Sequence, residues 1–497
     1  MKLQVNLDFP GVLQAIPAAI GWRVERMDWA LPGGCQQAFI STRLQRTDQL
    51  DLRLLEKCLA KSLTIYQATG EIMWDGWVDK ISLSSGHLCF VWDLRHHHNR
   101  VLARYPSVSA NLDPYHQWVY GSWLQDEQLL QEWGAKEQLH TLEYGNPASA
   151  QQAAIQHLSR SVKMISSHLL KETENSPSLE ISARGWWQRL DWTLDGEEDG
   201  LLAHLKGGKN KLPFGQPDNQ KVAQKFQTGN SAFPAGQICF RLASLGSPVD
   251  EVRVRICNDQ ADNPDTTLAS ISLPAYQLQG GWQWHTWQME APITLAANSP
   301  YWLVVERSGV LNLENSYMLE SDEGLGYPQE VCKRWNGSAW TRLNENLRFA
   351  VLAVSESSRL IQEVGNQLVS GGVLRGVQIW QESGVYLARW RALEKTHQQR
   401  LEGWLQLGCQ TGQPYSAVVN SGRILELFTL PRMEGFPLFL TDSGRLRTLS
   451  GNSLPSPLEL LGRQLNLQIG LQSTSQVLNG LKWTIEDGLF PLLSEPE

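Results

Sequence analysis

Residues 252–256, Val252-Arg253-Val254-Arg255-Ile256, alternate apolar and basic side chains with the two-residue period of a β-strand. Similar short strand patterns lie on both sides of them, at residues 238–242, 302–305 and 347–351. Turn-forming clusters at 258–265 and 336–338 separate these stretches, and no long helical pattern interrupts them. Residues 210–354 are therefore predicted to form an antiparallel β-sandwich.

The sequence on either side of the sandwich predicts further strands with a few helices. Before it, alternation at 38–42, 63–66, 88–92 and 179–183 indicates strands, and helical spacing of apolar residues occurs at 50–60 and 148–170. Residues 195–221, rich in Gly, Pro and charge, are predicted to form a surface linker. The expected fold class is mainly β, with α+β character in the N-terminal part.

The chain divides into four predicted segments. These are an N-terminal part at 1–100, whose strands around one helix suggest a small barrel or sandwich, a helix-containing segment with closing strands at 101–200, the sandwich at 210–354 and a C-terminal β-rich part at 359–497. The last part combines a short helix near 359–368 with several strands. Because similar elements flank the sandwich on both sides, we expect the sandwich to be inserted into another unit.

Composition limits the partners of the chain. Its 497 residues include 43 basic and 51 acidic side chains, a formal charge of −8, which argues against specific nucleic-acid binding through a basic patch. No stretch approaches the roughly 18 consecutive apolar residues of a membrane helix, and the first residues show no signal-peptide pattern.

The seven Cys never form CxxC, so buried free thiols are expected. The 21 Trp are typical of extensive packing and protein–protein contact.

Recognisable catalytic motifs are missing from the sequence. It contains no GxSxG, no HExxH, no Walker A sequence and no GxGxxG that opens a helix. Gly207-Gly208-Lys209 lacks the glycine spacing and the following Ser or Thr of a phosphate loop, and indicates a flexible segment. We therefore expect no enzymatic activity and no cofactor.

Two polar stretches resemble metal sites only in part. His96-His97-His98 would point alternately to opposite faces of a strand, and no HxxxH partner accompanies them. Residues 258–265, NDQADNPD, gather three carboxylates but lack the twelve-residue register and terminal Glu of an EF-hand. Polar surface histidines and an ordinary turn are the favoured interpretations, with a structural metal and a weak calcium site as the alternatives.

Asp75 and Asp79 are the carboxylate pair that could suggest a glycosidase. In a regular strand they would face the same way, roughly 13 Å apart. This separation exceeds the window of about 5–9.5 Å that glycoside hydrolysis uses. A turn at Gly76 could shorten it, so distance alone does not exclude catalysis.

Several tryptophans are candidates for contact surfaces. Trp282, Trp284 and Trp287 lie in the run GGWQWHTW, and Trp282 and Trp284 would share one face of a strand. Such a pair could stack on a sugar or contact a protein, although packing in a core is the favoured interpretation. These three residues are the predicted contact residues of the chain.

Three features of the first 195 residues carry a family resemblance. They are the strand GEIMWDGWV at 70–78, Tyr120-Gly121 ahead of a helical region, and LEISARGWWQRL at 179–190. Their order resembles the tail-tip and baseplate hub proteins of tailed bacteriophages and related contractile injection systems. Residues 436–451, FPLFLTDSGRLRTLSG, are similar to a D-G-x-L…G hairpin of such proteins, with Ser443 before Gly444 as a departure.

The inserted part resembles a different family, the choice-of-anchor sandwich domains. The matching stretches are 246–248, 252–256, 263–265, 268–269, 295–298, 300–305 and 347–349, together with Trp335 and Trp340. This resemblance implies an antiparallel, jelly-roll-like sandwich used as an exposed decoration, with no chemistry to transfer.

The hub resemblance implies a function in assembly. It implies barrel-like domains related to tail-tube subunits and a homotrimer that continues the tube. Such a trimer would join the tail tube or distal tail protein above to spike, fibre or baseplate proteins below. The location implied is the tail tip of a virion, assembled in the host cytoplasm.

Other functions stay open beside the hub hypothesis. The chain could be a distal tail protein, which carries similar tube-like barrels, or a tail adhesin that binds a host-surface carbohydrate through Trp282 and Trp284. A cell-wall glycan hydrolase is the third alternative and has the least support from the sequence.

Overall fold

The fold is known from a computed structural model that describes most of the chain. The described residues are 3–7, 21–44, 52–85, 88–107, 113–162, 166–170, 177–197, 199–205, 208, 210–278, 280–323, 331–379, 384–410, 414–432, 438–440, 446–448, 456–469, 472–484 and 488–492.

The described elements before residue 205 are short strands and three helices. The strands are β1 (Leu3–Leu7), β2 (Arg23–Ala30), β3 (Gly33–Arg43), β4 (Ser62–Gln67), β5 (Ile72–Ser85), β6 (Leu88–Asp93), β7 (Arg100–Pro106), β8 (Trp118–Tyr120), β9 (Leu124–Gln125), β10 (Glu137–Thr141), β11 (Ser166–Leu170), β12 (Ser178–Gly185), β13 (Leu194–Glu197) and β14 (Leu201–His204). The helices are α1 (Leu52–Glu56), α2 (Glu127–Trp133) and α3 (Pro147–Val162), and a 3₁₀ segment spans Trp186–Trp192.

The middle of the chain is almost entirely strand. Its elements are β15 (Asn210–Phe214), β16 (Lys221–Gln227), β17 (Phe233–Leu245), β18 (Val252–Gln260), β19 (Asn263–Leu273), β20 (Gln283–Leu295), β21 (Pro300–Arg307), β22 (Ser316–Glu323), β23 (Cys332–Trp335), β24 (Trp340–Leu343), β25 (Glu345–Leu347) and β26 (Phe349–Glu356), with a 3₁₀ turn at Ala275–Gln277.

The described C-terminal part mixes helices and strands. The helices are α4 (Ser357–Ser370), α5 (His397–Gln410) and α6 (Pro457–Leu460). The strands are β27 (Gly376–Ile379), β28 (Tyr386–Ala388), β29 (Arg391–Thr396), β30 (Tyr415–Val419), β31 (Ile424–Thr429), β32 (Leu438–Leu440), β33 (Leu446–Thr448), β34 (Gln464–Ile469), β35 (Gln472–Val477), β36 (Gly480–Thr484) and β37 (Gly488–Leu492).

A thirteen-stranded sheet of half-barrel shape is built from both ends of the described chain. Its main path runs β1-β4-β5-β12-β3-β2-β36-β37, and β6, β11, β27, β30 and β31 join at the sides. Strands before and after the sandwich are therefore neighbours, so that Met27 of β2 lies opposite Trp483 of β36. One hydrophobic core serves both parts, because Leu360 of α4 and Trp404 of α5 belong to the same buried cluster as Trp77.

Two antiparallel sheets form the predicted β-sandwich. The eight-stranded sheet contains β14, β15, β17, β20, β22, β25, β26 and β28, and the six-stranded sheet contains β16, β18, β19, β21, β23 and β24. Their facing side chains share one core, which includes Phe240, Val254 and Val305. The mainly β fold class is confirmed.

The chain enters and leaves the sandwich through adjacent strands. β14 pairs with β26 in antiparallel register, and Leu201 lies opposite Leu352. β13, just before β14, pairs with β29, which follows α4, β27 and β28, so that Leu194 lies opposite Thr396. The points where the chain enters and leaves the sandwich therefore lie side by side in the pair of β14 and β26.

The predicted surface linker at 195–221 is wrong. Within this segment the structure places β14, β15 and most of β13, each in a sheet. These strands are four or five residues long, too short to show an alternating pattern of their own. They are stabilised instead by pairing with strands that follow much later in the chain. Of the Gly207-Gly208-Lys209 run, only Gly208 lies within the described residues.

The helices differ from the predicted ones in length and number. The helix predicted over 148–170 ends at Val162, and residues 166–170 instead form β11, which pairs with β6. The helix predicted over 50–60 is limited to α1. The short helix predicted near 359–368 is the longer α4, and α5 was not predicted. No helix in the described ranges has both the length and the apolar character to cross a membrane.

Candidate functional site

Trp282, Trp284 and Trp287 do not form one exposed platform. Trp287 is fully buried in the sandwich core, and its Nε1–H donates to the carbonyl oxygen of Val252 at 3.2 Å. Trp284 lies on the opposite, outer face of the eight-stranded sheet, and both Trp282 and Trp284 are half-buried. Burial therefore removes Trp287 from the residues that a glycan or a protein could reach.

Trp284 is covered by segments from outside the sandwich. The Tyr115 ring lies 6.4 Å from the Trp284 ring and 5.0 Å from the Trp390 ring, edge to face in both cases. The Tyr115 hydroxyl donates to Cys239 Sγ at 3.1 Å, and burial raises the pKa of this hydroxyl. Trp284 therefore packs at the junction of the sandwich with its flanking segments.

Asp75 and Asp79 are buried in β5 and have separate partners. Asp75 Oδ2 accepts the Nε1–H of Trp186 at 2.7 Å, and Asp75 Oδ1 accepts the Thr64 hydroxyl at 2.8 Å. Asp79 Oδ2 accepts the Nε–H of Arg184 at 2.9 Å. Burial raises the pKa of both carboxyl groups. Their contacts hold strands and the 3₁₀ segment together, as expected of structural carboxylates.

The histidine run contacts the end of α3. His97 is buried and its Nδ1 lies 2.5 Å from the carbonyl oxygen of Ser161, while the backbone N–H of His98 donates to the Ser161 hydroxyl. Burial lowers the pKa of His98 to about 3, which keeps this ring neutral at physiological pH. In the described part of the chain, no group of three His, Cys, Asp or Glu is placed to hold a metal ion.

The acidic turn at 258–265 is the hairpin between β18 and β19. Ala261 and Asp262 occupy its tip with φ of 49° and 61°. Lys225 Nζ lies 3.1 Å from Asp259 and 2.9 Å from Asp262, and Lys333 pairs with Asp262 as well. These ammonium groups occupy two of the three carboxylates that the calcium alternative would need.

A cavity of about 630 Å³ lies between the 3₁₀ segment and the C-terminal end of α4. Its ionisable lining residues are Lys61, Arg100, Glu137, Arg189, Asp195, His397 and Arg423. Glu137 accepts from Arg100 Nη1 at 2.6 Å and from the backbone N–H of Leu194 at 2.8 Å. Asp195 accepts from Arg391 at 2.9 Å and from Arg400 at 3.0 Å. Both carboxylates of the lining are therefore already bound to donors.

Two guanidinium groups of this cavity lie over tryptophan rings. Arg189 is 3.4 Å from the centre of the Trp192 ring, and Arg423 is 3.6 Å from that of Trp186. Arg189 Nη2 donates to the carbonyl oxygen of Trp133, whereas Arg189 Nη1 is buried without an acceptor among the described residues. Burial, with the nearby charge of Arg423, lowers the pKa of Arg189 to about 9.

Sequence reasoning did not identify the residues at the junction or in the cavity. Arg189 and Trp192 stand three residues apart, a spacing that brings side chains together in a helical turn and could have indicated their contact. Tyr115, Trp390 and Arg423 reach their partners through long-range packing. No local pattern in the sequence marks them.

Comparisons with known proteins do not identify a family for the chain. No family model matches it, and no curated protein sequence matches it. Among solved structures, the clostridial cysteine protease Cwp84 after propeptide cleavage has 8% identity and a TM-score of 0.23, covering 70% of this chain and 69% of that chain. The Bacillus thuringiensis delta-endotoxin Cry8Ea1 has 9% identity, a TM-score of 0.17 and coverages of 61% and 52%. The infectious bursal disease virus Gt strain structure has 9% identity, a TM-score of 0.15 and coverages of 69% and 86%.

Proposed function

We propose that the chain is a structural protein of the tail-tip or baseplate hub class, in which identical copies form a ring between a tail tube and a spike or fibre. The observation that carries this proposal is the open half-barrel sheet. In the described part of the chain, β1 pairs with β4 alone and β37 pairs with β36 alone, so the main path ends in two edge strands. Edge strands present unpaired backbone groups that readily accept another strand.

Pairing such edges between copies would close a ring. A homotrimer with cyclic symmetry uses the same two surfaces at each contact and leaves no edge open. The formal charge of −8 suits a lumen through which DNA passes without being held. The proposal places the protein at the tail tip of a virion and assigns it no catalytic step and no cofactor.

The mass of the purified chain tests the proposal first. We expect three copies of the 56.0 kDa chain in light scattering or native mass spectrometry at high concentration. A monomer under these conditions would contradict it. In imaged particles the ring should lie on the tube axis at the tail tip, whereas a distal tail protein would lie between the tube and a separate hub.

Chemical cross-linking tests the sheet edges directly. The double variant Asn6→Cys with Leu489→Cys places one thiol in β1 and one in β37, and a bismaleimide should link neighbouring copies into trimers. The control pairs Leu489→Cys with Leu268→Cys, which lies in β19 of the sandwich, away from both edges. Equal cross-linking of both variants would mean that the edges do not meet.

A tail adhesin that binds host-surface carbohydrate is a second candidate function. β17 begins near the point where the chain leaves the sandwich, since Ala235 lies opposite Ala353 of β26. It ends at Leu245, which marks the far end of the sandwich. At that far end Val249 is 89% exposed and Val310 is 85% exposed. Exposed apolar side chains on loops at a free end favour a contact surface.

A glycan array probed with the full-length chain tests the second candidate. We expect Trp282→Ala to lose binding, because Trp282 lies just before β20 at this far end and is half-buried. Trp123→Ala is the control, since Trp123 is half-buried below Arg100 in another part of the fold. Absence of glycan binding by the unmodified chain would reject the adhesin function and leave the hub proposal unaffected.

A further inference from the structure

The cavity beside the 3₁₀ segment has features that the assembly proposal does not require. Four of its lining side chains are cationic, namely Lys61, Arg100, Arg189 and Arg423, and two are acidic, namely Glu137 and Asp195. Both carboxylates already accept hydrogen bonds from other groups. The cationic side chains of the lining therefore outnumber its carboxylates, which are themselves engaged.

The excess of cationic over acidic side chains in the lining is most important for Arg189. One of its terminal nitrogens, Nη1, is buried and has no acceptor among the described residues. A guanidinium presents five donors in a plane, and a buried donor without an acceptor destabilises the fold because its hydrogen bonds to water are not replaced. An oxyanion beside Arg189 would supply the missing acceptor and reduce the repulsion between Arg189 and Arg423.

Arg423 reaches the cavity from a tight turn between β30 and β31. Its backbone has φ of 59°, a left-handed conformation that an Arg rarely adopts. The turn is fixed by Asn420, whose side-chain oxygen accepts the N–H groups of Gly422 and Ile424 at 2.8 and 3.1 Å. This geometry holds the Arg423 guanidinium over the Trp186 ring at the wall of the cavity.

We propose that the cavity binds a small organic molecule through an oxyanion, either a carboxylate or a phosphate group, held by Arg189 and Arg423. Planar guanidinium groups pair with both kinds of oxyanion through two parallel hydrogen bonds. A volume of about 630 Å³ exceeds what a lone anion would fill and lies within the usual range for small-molecule sites. This site is independent of the hub proposal, because ring formation needs no ligand.

Thermal shift and calorimetric titrations with sodium phosphate and with succinate, at constant ionic strength, test the site. We expect saturable binding of at least one of the two, and the better ligand distinguishes a phosphate site from a carboxylate site. Arg189→Gln should weaken binding by roughly tenfold or more, as expected for the loss of one charged hydrogen bond.

Two further variants keep the test decisive. Arg423→Asn should weaken binding similarly, since Asn tolerates the left-handed backbone and the variant is expected to fold even where Arg189→Gln does not. Arg342→Gln, on the exposed face of a sandwich hairpin, should bind as the unmodified chain does. The proposal is overturned if neither anion binds saturably, or if Arg423→Asn and Arg342→Gln bind alike.

Discussion

Gly76 of β5 and Gly185 of β12 are direct partners in neighbouring strands of the thirteen-stranded sheet. A Cβ atom on Gly76 would lie under 3.0 Å from the carbonyl oxygen of Arg184, and one on Gly185 would lie under 3.0 Å from that of Cys35. The backbones approach here more closely than a side chain permits. This close approach explains why glycine occupies position 76 in GEIMWDGWV and position 185 in LEISARGWWQRL.

We expect Gly185→Ala to lower the free energy of unfolding by about 3 kcal/mol, because the added methyl group overlaps a backbone atom that cannot move alone. Urea unfolding followed by tryptophan fluorescence measures the change. Gly403→Ala is the matched control, since a Cβ there meets no atom within 4 Å and lies in α5. That variant should gain up to about 1 kcal/mol. Equal stability of the two variants would contradict the close approach.

The bond from Trp186 to Asp75 gives a prediction that depends on pH. Burial raises the pKa of Asp75 above its ordinary 3.8, so its contribution to stability is complete below pH 3.8 and is lost as pH rises through the folded pKa. Trp186→Phe removes one donor and raises that pKa further. The variant should therefore be destabilised more at pH 7 than near pH 4, with a difference of about 1–3 kcal/mol.

Unfolding of the unmodified chain and of Trp186→Phe at both pH values checks this expectation. Thr64→Val, which removes the hydroxyl group that also donates to Asp75, should show the same direction. A destabilisation that is equal at pH 4 and pH 7 would mean that the indole acts through packing alone.

For Lys136 we expect the opposite behaviour to that of Asp75, namely a stability that rises with pH in the alkaline range. Its Nζ donates to the carbonyl oxygens of Leu94 and Arg95, and burial lowers its pKa from 10.5 to about 8. Between these two values the unfolded chain holds a proton that the folded chain has lost, so stability rises with pH. Relative to Lys136→Met, the unmodified chain should gain about 3 kcal/mol between pH 7.5 and pH 10.5.

Differential scanning calorimetry over this pH range measures the gain. Subtracting the Lys136→Met curve removes the contribution of the buried thiols, which titrate in the same range. Parallel curves for the two proteins would show that Lys136 keeps its ordinary pKa.

The buried cysteines should resist thiol reagents in the folded protein. Cys35 and Cys58 are buried, and burial raises the pKa of each to about 12, so almost no thiolate forms at pH 8. Alkylation by iodoacetamide followed by peptide mass spectrometry should label both only after unfolding in guanidinium. Rapid labelling of the native protein at either position would contradict their burial.

We expect the Trp284 ring to stabilise the contact between the sandwich and its flanking segments. Trp284→Ala removes the ring that Tyr115 contacts, and we expect a loss of about 2 kcal/mol with faster hydrogen exchange at residues 113–118. Trp282→Ala, two residues away, is the control and should leave exchange at 113–118 unchanged. Equal exchange in both variants would indicate that Tyr115 is held by Trp390 and Cys239 alone.

The sandwich core could be predicted because each long strand carries its own pattern. Val252, Val254 and Ile256 of β18 are fully buried at alternate positions, as the two-residue period requires. The spacing of Leu401, Trp404 and Leu405 in α5 is also helical, and all three side chains are buried. Patterns of this kind are local and survive without a partner.

Elements that depend on distant partners could not be predicted. β14 has only four residues and is stabilised by pairing with β26. The apolar spacing of residues 148–170 is helical throughout, but its last residues form β11 because they pair with β6. The role of Trp284 has the same origin, since its cover, Tyr115 and Trp390, comes from both sides of the sandwich. The pairing of β2 with β36, at opposite ends of the chain, has no local trace in either strand.

Because Leu201 and Leu352 face each other where the chain enters and leaves the sandwich, the whole module closes on itself at its base. A short connection between the facing strands β14 and β26 could replace the rest of the sandwich and leave the thirteen-stranded sheet with every strand it now has. The same base could receive another module with neighbouring ends. The sandwich is therefore an exchangeable module, whose sequence can change while the thirteen-stranded sheet that carries it stays the same.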